Sequence, residues 1–316
     1  GSLVAADVNL RLSDALRFKA EVAFSDTREP NASWITGGEN FKGRTAALDG
    51  ERYQGLAMYG GLVRQSKHWT LRADLMGQSP TFRAEMGFEP QNDWMRYELG
   101  ASYNGFPNKK WVKTWSVYNE ATQYRYFDGN LRQNHHLAWG WIQWGVNLRS
   151  SFFHRIRFDE VFKGIHFRNL RTFGTNLNWR PSQTFNAGLE WNSGQSIAYN
   201  ESTLRPGRTR NISVNAQVQF AGQLRWNHML THAQMRELNA SDLIYRGFIY
   251  RSGLEWSLTR ATELRLVGQW DAFNANLLVQ PVLTYRPNAF TLVYAGGQYV
   301  QGAWQAYLKG QVALGS

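Results

Sequence analysis

Ionisable residues recur at every second position in several segments of the sequence, and they could carry chemistry. Clustered positive charge in a narrow, low-dielectric space attracts anions, which would make an interior lined by these residues a path for acidic solutes. Alternatively, carboxylates on the same face pair with the arginines and stiffen the interior, because buried charges need partners. We favour the second interpretation. The predicted interior-lining residues are Arg11, Arg17, Lys19, Glu21, Arg72, Asp74, Arg96, Glu98, Arg225 and Arg265.

The segment 94–106 shows which kind of element positions these residues. Met95, Tyr97 and Leu99 are apolar, whereas Arg96 and Glu98 between them are charged. Because successive side chains of a β-strand point to opposite faces, the segment predicts a strand with one apolar and one polar face. A soluble antiparallel sheet shows the same alternation, so this strand alone leaves a membrane barrel and a soluble β fold both open.

Segments with the same alternation recur from one end of the 316-residue chain to the other, and no linker or change of composition divides the chain. We expect a single domain over residues 1–316, with about sixteen to eighteen strands that are long for a soluble sandwich. Seventeen strands can be counted, which would leave the two chain ends on opposite sides unless one strand is miscounted or another precedes Gly1. Long connections, above all 27–52, follow even-numbered strands, and short turns follow odd-numbered ones.

This sorting of loops favours an outer-membrane protein over a soluble β fold. Bacterial outer-membrane barrels carry long loops outside and tight turns in the periplasm. The predicted fold class is therefore all-β: a transmembrane antiparallel up-and-down β-barrel, with long loops on one side and short turns on the other. The connection 27–52 would be an extracellular or plugging loop.

Aromatic residues make up 15% of the chain, with 14 Trp, although the mean hydropathy is −0.49. Strands that are apolar on one side only give this combination. Aromatic residues near strand ends suit the girdles at the two membrane interfaces, with sugar-stacking platforms as the alternative. The predicted interface aromatics are Trp69, Trp94, Tyr97, Tyr103, Trp179, Trp226, Trp270 and Trp304.

The net charge of +11 predicts an anionic neighbour, and the chain has no cysteine for a disulfide or a thiolate metal site. The expected partners are outer-membrane lipid and lipopolysaccharide, with a periplasmic or surface protein as an addition. Nucleic acid is disfavoured because the cationic residues alternate along strands. His135 and His136 point to opposite faces, and His228 lies about 13 Å from His232 along a strand, so we expect no metal and no cofactor.

Several short motifs resemble one family of barrels. The segment 82–90, with the sequence FRAEMGFEP, precedes Asp93 and the strand from Trp94, and the segments 7–10 and 284–294 follow the same order and spacing. They resemble the outer-membrane barrels of unknown function that usually follow a carbohydrate-binding-module-9-like domain in Gram-negative bacteria. The resemblance implies the fold and a multi-pass location in the outer membrane, and it implies no activity.

The expected function is passive: a pore or channel, or a membrane anchor or scaffold for an associated domain or partner. One alternative is an outer-membrane hydrolase with an active site at the rim, and another is sugar-related uptake or binding through the associated carbohydrate-binding domain. No G-x-S-x-G elbow or phosphate-binding glycine loop occurs, and no spacing identifies a catalytic dyad. We therefore do not expect an enzyme.

Overall fold

The computed structural model describes residues 1–32, 34, 49–83, 91–199, 204–220, 222–239, 242–300 and 302–313. These residues form seventeen β-strands. Among them, no helix has the length and apolar character needed to cross a membrane. The strands are β1 Ser2–Arg11, β2 Leu16–Arg28, β3 Arg52–Gln65, β4 Trp69–Gln78, β5 Trp94–Gly105, β6 Val112–Arg125, β7 Leu131–Trp144, β8 Leu148–Phe162, β9 Ile165–Trp179, β10 Phe185–Ile197, β11 Pro206–Phe220, β12 Leu224–Glu237, β13 Leu243–Ser257, β14 Thr262–Asp271, β15 Asn276–Asn288, β16 Thr291–Val300 and β17 Ala303–Val312.

Strands that follow each other in sequence pair antiparallel, in an up-and-down order. The strand number and order confirm the predicted all-β, up-and-down fold class. Contacts divide the chain into two compact units: unit 1 is residues 1–105, 116–140 and 154–170, and unit 2 is residues 106–115, 141–153 and 171–316. The single-domain organisation stays a prediction.

In unit 1, the register separates polar from apolar side chains across β1 to β5. Val22 faces Met58 and Leu75 faces Tyr97, so these residues share the apolar face. Asp74 faces Glu98, on the side that we call the charged face. The period of two thus continues from strand to strand, because each residue shares its face with its direct partner.

Unit 2 has the same separation. On β11 to β13, Val214 faces Leu230, which in turn faces Tyr250, and all three are exposed. Arg225 faces Glu255 on the opposite side of the same strands. We use the names apolar face and charged face for unit 2 in the same sense.

The connections are sorted as predicted, with exceptions. The longest ones, 29–51, 79–93 and 198–205, all follow even-numbered strands. However, the connection 163–164, which also follows an even-numbered strand, is a tight turn. Lys163 and Gly164 both have positive φ, as a two-residue hairpin turn requires. Most of the predicted plugging loop, and residues 84–90 of the family motif, lie outside the described residues.

The first part of the connection after β4 folds back over the charged face of β3. Phe82 is buried there, and the backbone N–H of Arg83 donates to the hydroxyl of Ser25 at 3.1 Å. A Cβ added to Gly55 would lie 2.2 Å from the Cα of Phe82. Only glycine therefore allows this approach of two backbones.

Replacing Gly55 by alanine should destabilise the folded protein by about 1–3 kcal/mol, the usual range for overpacking, because the neighbouring atom belongs to the backbone and cannot rotate away. The measurement is the free energy of unfolding in detergent from a urea titration. Gly60→Ala is the matched control in the same strand, since a Cβ at Gly60 meets nothing within 4 Å. Equal stability of the two variants would contradict the close approach of the Phe82 backbone to Gly55.

Candidate functional site

A connected network of ionisable side chains lies on the charged face of β4 and β5. Asp74 and Glu98 face each other, and their side chains are 1% and 5% exposed. Arg72 lies between them, with Nη2 at 2.6 Å from Asp74 Oδ2 and Nε at 3.5 Å from Glu98 Oε1. Arg96 Nη2 lies 2.6 Å from Glu98 Oε2. The two arginines thus compensate both carboxylates, which would otherwise repel each other.

Two small residues give this network its space. The Tyr59 hydroxyl donates to Asp74 Oδ1 at 2.9 Å, and a Cβ at Gly61 would lie 2.3 Å from that hydroxyl oxygen. A Cβ at Gly100 would lie 2.8 Å from the hydroxyl of Tyr118 and 3.0 Å from Arg72 Cγ. Neither glycine has a positive φ, so the space of a missing side chain is what the structure uses.

The network continues on β6 and β7. Glu120 accepts hydrogen bonds from the hydroxyls of Tyr118 and Thr122, both at 2.7 Å. His135 Nε2 lies 3.8 Å from Glu120 Oε1, and the ring of Tyr124 stacks on His135. Tyr118, Glu120 and Thr122 escaped the sequence analysis, and His135 was considered there only as a metal ligand. The alternation of Tyr118, Glu120 and Thr122 within one strand is the signal that could have found them.

The register places all ten predicted interior-lining residues on the charged faces of their units. In unit 1, Lys19 Nζ lies 3.7 Å from Glu21, and Arg11 pairs with Asp14 in the turn after β1. In unit 2, Arg225 Nη1 lies 3.3 Å from Glu255 Oε2, and Arg265 faces the same glutamate. That these faces line a lumen stays a prediction.

A polar cavity of about 420 Å³ opens on the charged face of unit 1, near the longer connections. Arg132 Nη2 donates to the side-chain oxygen of Gln91 at 3.3 Å, and Trp94 Nε1 donates to the backbone oxygen of Gln91 at 3.0 Å. The cavity combines cationic, amide and aromatic groups that can hold a polar solute. Its lining residues are Gln78, Gln91, Trp94, Arg96, Tyr124, Arg132 and Gln133.

Solved structures of similar fold are outer-membrane receptors. A ferric enterobactin receptor (PfeA) variant from Pseudomonas aeruginosa aligns with a TM-score of 0.53 and 9% identity, over 94% of this chain and 56% of the receptor. The same receptor in complex with BCV-L6 aligns with a TM-score of 0.51, 9% identity and coverages of 94% and 57%. The chain has the fold of an outer-membrane β-barrel. It spans little more than half the length of these receptors.

No family model and no curated protein matches the sequence. The resemblance to barrels that follow a carbohydrate-binding domain therefore stays a prediction, while the coarser assignment to outer-membrane barrels is supported by the structural similarity.

In an outer-membrane barrel, aromatic girdles lie at both ends of the apolar face. Trp69 and Tyr103 face each other at the short-turn end of unit 1, with ring centroids 4.8 Å apart. In unit 2, Trp226 lies near the start of β12 at the short-turn end, and Trp270 lies at the other end of the apolar face. The remaining predicted interface residues on the apolar faces are Tyr97, Trp179 and Trp304.

The structure corrects the prediction that Trp94 lies at the membrane interface. The register pairs Trp94 with Gln78, on the face that also carries Arg96 and Glu98. The indole therefore lines the polar cavity instead of the membrane interface. Its even position in the alternation of its own strand already indicated this face.

A groove of about 640 Å³ lies on the apolar face of unit 2. Ser252 and Gly268 face each other at its floor, and Trp226 and Leu254 flank them. Lipid covers this face in a barrel, so the groove is unsuited to a polar solute.

Three carboxylates come together at the base of the long connection between β2 and β3. The oxygen atoms of Glu29, Asp49 and Glu51 lie within 4.8 Å of one another, and the Tyr53 hydroxyl donates to Glu29 at 2.8 Å. A bridge between Asn31 and Asp49 closes the connection and brings the acids together. Oxygen ligands of this kind suit hard cations. The expectation of no metal did not consider these three acids together, because they are distant in sequence. Exposed acidic groups often cluster without an ion.

Removing the carboxylate of Asp74 should lower the free energy of unfolding by about 2–3 kcal/mol. This is less than the ~3–5 kcal/mol typical of a broken buried pair, because Arg72 is 39% exposed and keeps Glu98. Glu21→Ala is the control, and it should cost under ~1 kcal/mol, because Lys19 and Glu21 are 50% and 48% exposed. Urea titration of both variants in detergent measures the difference, and equal losses would show that the network on β4 and β5 is no more stabilising than a surface pair.

Proposed function

We propose that the chain acts in the bacterial outer membrane as a channel for small polar solutes, with a preference for anions. The polar cavity on the charged face of unit 1 is the observation that carries this proposal. Its surroundings hold cationic and amide groups, and the opposite face of the same strands is apolar and suited to lipid. Receptors with the same fold give support at the level of outer-membrane passage.

The electrostatics of the cavity favour anions. Arg96 is compensated by Glu98 at 2.6 Å, but the partners that the structure gives Arg132 are uncharged, namely the side chain of Gln91 and the ring of Tyr126. Positive charge without a carboxylate among the described residues leaves a net attraction for acidic solutes. Arg132 is therefore the group through which the cavity selects charge.

The remaining lining groups favour a hydroxylated solute. Trp94 and Tyr124 offer ring surfaces, and three glutamines offer both donors and acceptors of hydrogen bonds. A small sugar acid combines an anionic group for Arg132 with a ring for the aromatic residues. This class of solute agrees with the sugar-related alternative suggested by the family resemblance.

A membrane anchor or scaffold is the second candidate, and one observation favours it. Asp74, Glu98 and Glu120 are each hydrogen-bonded or paired by at least two neighbouring groups. Such a saturated network makes a stiff wall that needs no solute to complete it.

In planar bilayers the purified protein should give stable conductance steps with a permeability that favours chloride over potassium. Arg132→Gln should lower the ratio of the two permeabilities about two-fold, because one uncompensated charge leaves the path. The measurement is the reversal potential in a salt gradient. A small sugar acid added to one side should reduce the open-channel current.

Arg64→Gln is the matched control. Arg64 faces Leu71 on the apolar face, so its removal changes the net charge equally but should leave the reversal potential unchanged. A folded protein that inserts without conducting would overturn the channel and support the scaffold.

A further inference from the structure

The apolar face of unit 2 ends in a group of arginines at the side of the longer connections. Arg208 and Arg210 on β11, Arg236 on β12 and Arg246 on β13 form this group, which we call the arginine patch. Arg208 faces Arg236, and Gln234 lies between Arg210 and Arg246 in the next row. All four arginines are exposed.

Three of the four arginines lack a compensating charge among the described residues. The structure gives Arg208, Arg210 and Arg246 no ion pair or hydrogen bond with a described side chain. Glu237, the acid nearest in sequence on β12, belongs to the other face and pairs with Arg205. Like charges that lie close together on one face repel, so Arg208, Arg210 and Arg246 are unfavourable as a group unless an anion joins them.

In unit 1, an arginine at the long-connection end of the apolar face does have a carboxylate partner. Arg52 faces Arg28 at the same end of the apolar face of β2 and β3, and its Nη2 lies 2.7 Å from Asp26 Oδ2. Arg208, Arg210 and Arg246 have no such carboxylate partner among the described residues.

The surface directly below the patch is apolar. The next row contains Ile212, His232 and Phe248, and the row after that contains Val214, Leu230 and Tyr250. Five of these six side chains are large, apolar or aromatic, and exposed. A ligand that touches both the patch and these rows must be an amphiphile, with anionic groups above acyl chains.

The height of the patch matches a membrane interface. Trp226 and Arg236 lie ten residues apart on β12, roughly 33 Å along a strand. At a tilt of ~40° this becomes roughly 25 Å, the height of the apolar band of an outer-membrane barrel. With Trp226 at one interface, the arginines lie at the headgroups of the other leaflet.

We propose that the arginine patch is a binding site for the phosphate groups of an outer-leaflet glycolipid of the lipopolysaccharide class, whose acyl chains lie on the apolar rows below it. The inference rests on the proposed outer-membrane location but not on channel activity. Guanidinium groups bind phosphate with two parallel hydrogen bonds, and facing arginines can hold one phosphate between them. The lipid supplies the anion that the described residues do not place beside Arg208, Arg210 and Arg246.

Diphosphorylated lipid A, titrated into the full chain in a non-ionic detergent and followed by native mass spectrometry, provides the test. Arg210→Gln combined with Arg246→Gln should weaken its binding about ten- to thirty-fold, since each arginine near anionic headgroups contributes roughly 1 kcal/mol. Arg52→Gln combined with Arg64→Gln removes the same charge from the apolar face of unit 1 and should leave the affinity within two-fold.

Lipid A stripped of its phosphates should bind the parent protein as weakly as the phosphorylated lipid binds the first double variant. Inorganic phosphate at millimolar concentration should not displace the lipid, and displacement would show a simple anion site in place of a lipid site. Equal affinity of both double variants for diphosphorylated lipid A would overturn the proposal.

Folding and location are checked separately. Each variant should migrate differently on gels with and without boiling, as folded membrane barrels do. A parent protein that is soluble without detergent and shows no such difference would overturn the membrane location, and with it the channel. A folded barrel whose affinity for lipid A does not depend on the phosphate groups would overturn the lipid site alone.

Discussion

Burial of Asp74 and Glu98 on facing positions depends on the guanidinium of Arg72, and the charged face of unit 1 is arranged around this interaction. Two ionised carboxylates in direct register repel, and a buried charge without a partner costs several kcal/mol. Arg72 reaches both acids, while Tyr59 and Arg96 satisfy the other carboxylate oxygens. The residue sizes nearby follow from this need, because Gly61 and Gly100 leave the volume that the hydroxyls and Arg72 occupy.

The strict separation of faces follows from the same constraint. Strands that concentrate paired charge on one side leave Leu71, Tyr97 and Leu99 exposed on the other. In water, each Å² of such apolar surface costs roughly 25 cal/mol. Lipid removes that cost, so the fold of an outer-membrane barrel allows a polar network and an exposed apolar surface to be stable together.

The sequence predicts the strands and their faces well, because the period of two is a local property. The pattern of Trp94–Gly105 alone assigns Arg96 and Glu98 to one face, and the structure agrees. Cross-strand partners are harder to predict, because the register depends on the geometry of the connections, and the alternation of residues carries no information on that geometry. The contact of Glu120 with His135 was missed for this reason.

Backbone approach is harder still to predict. Nothing in the alternation of β3 indicates that Phe82 will cover Gly55, because the contact depends on the path of the connection after β4. The acids Glu29, Asp49 and Glu51 meet for a similar reason, as the two ends of one connection close on each other. Features built by connections thus escape an analysis that begins from strand periodicity.

Arginines on the two faces differ in the origin of their counter-charge. On the charged faces, Arg72, Arg96 and Arg225 have carboxylates of the chain within reach. A carboxylate fixed beside an arginine at a membrane interface would repel the anionic headgroups that concentrate there. A surface that binds such headgroups should therefore present arginine without acid, as Arg210 and Arg246 do. In unit 1, Asp26 already occupies Arg52, which makes that end of the apolar face a poorer site for the same lipid.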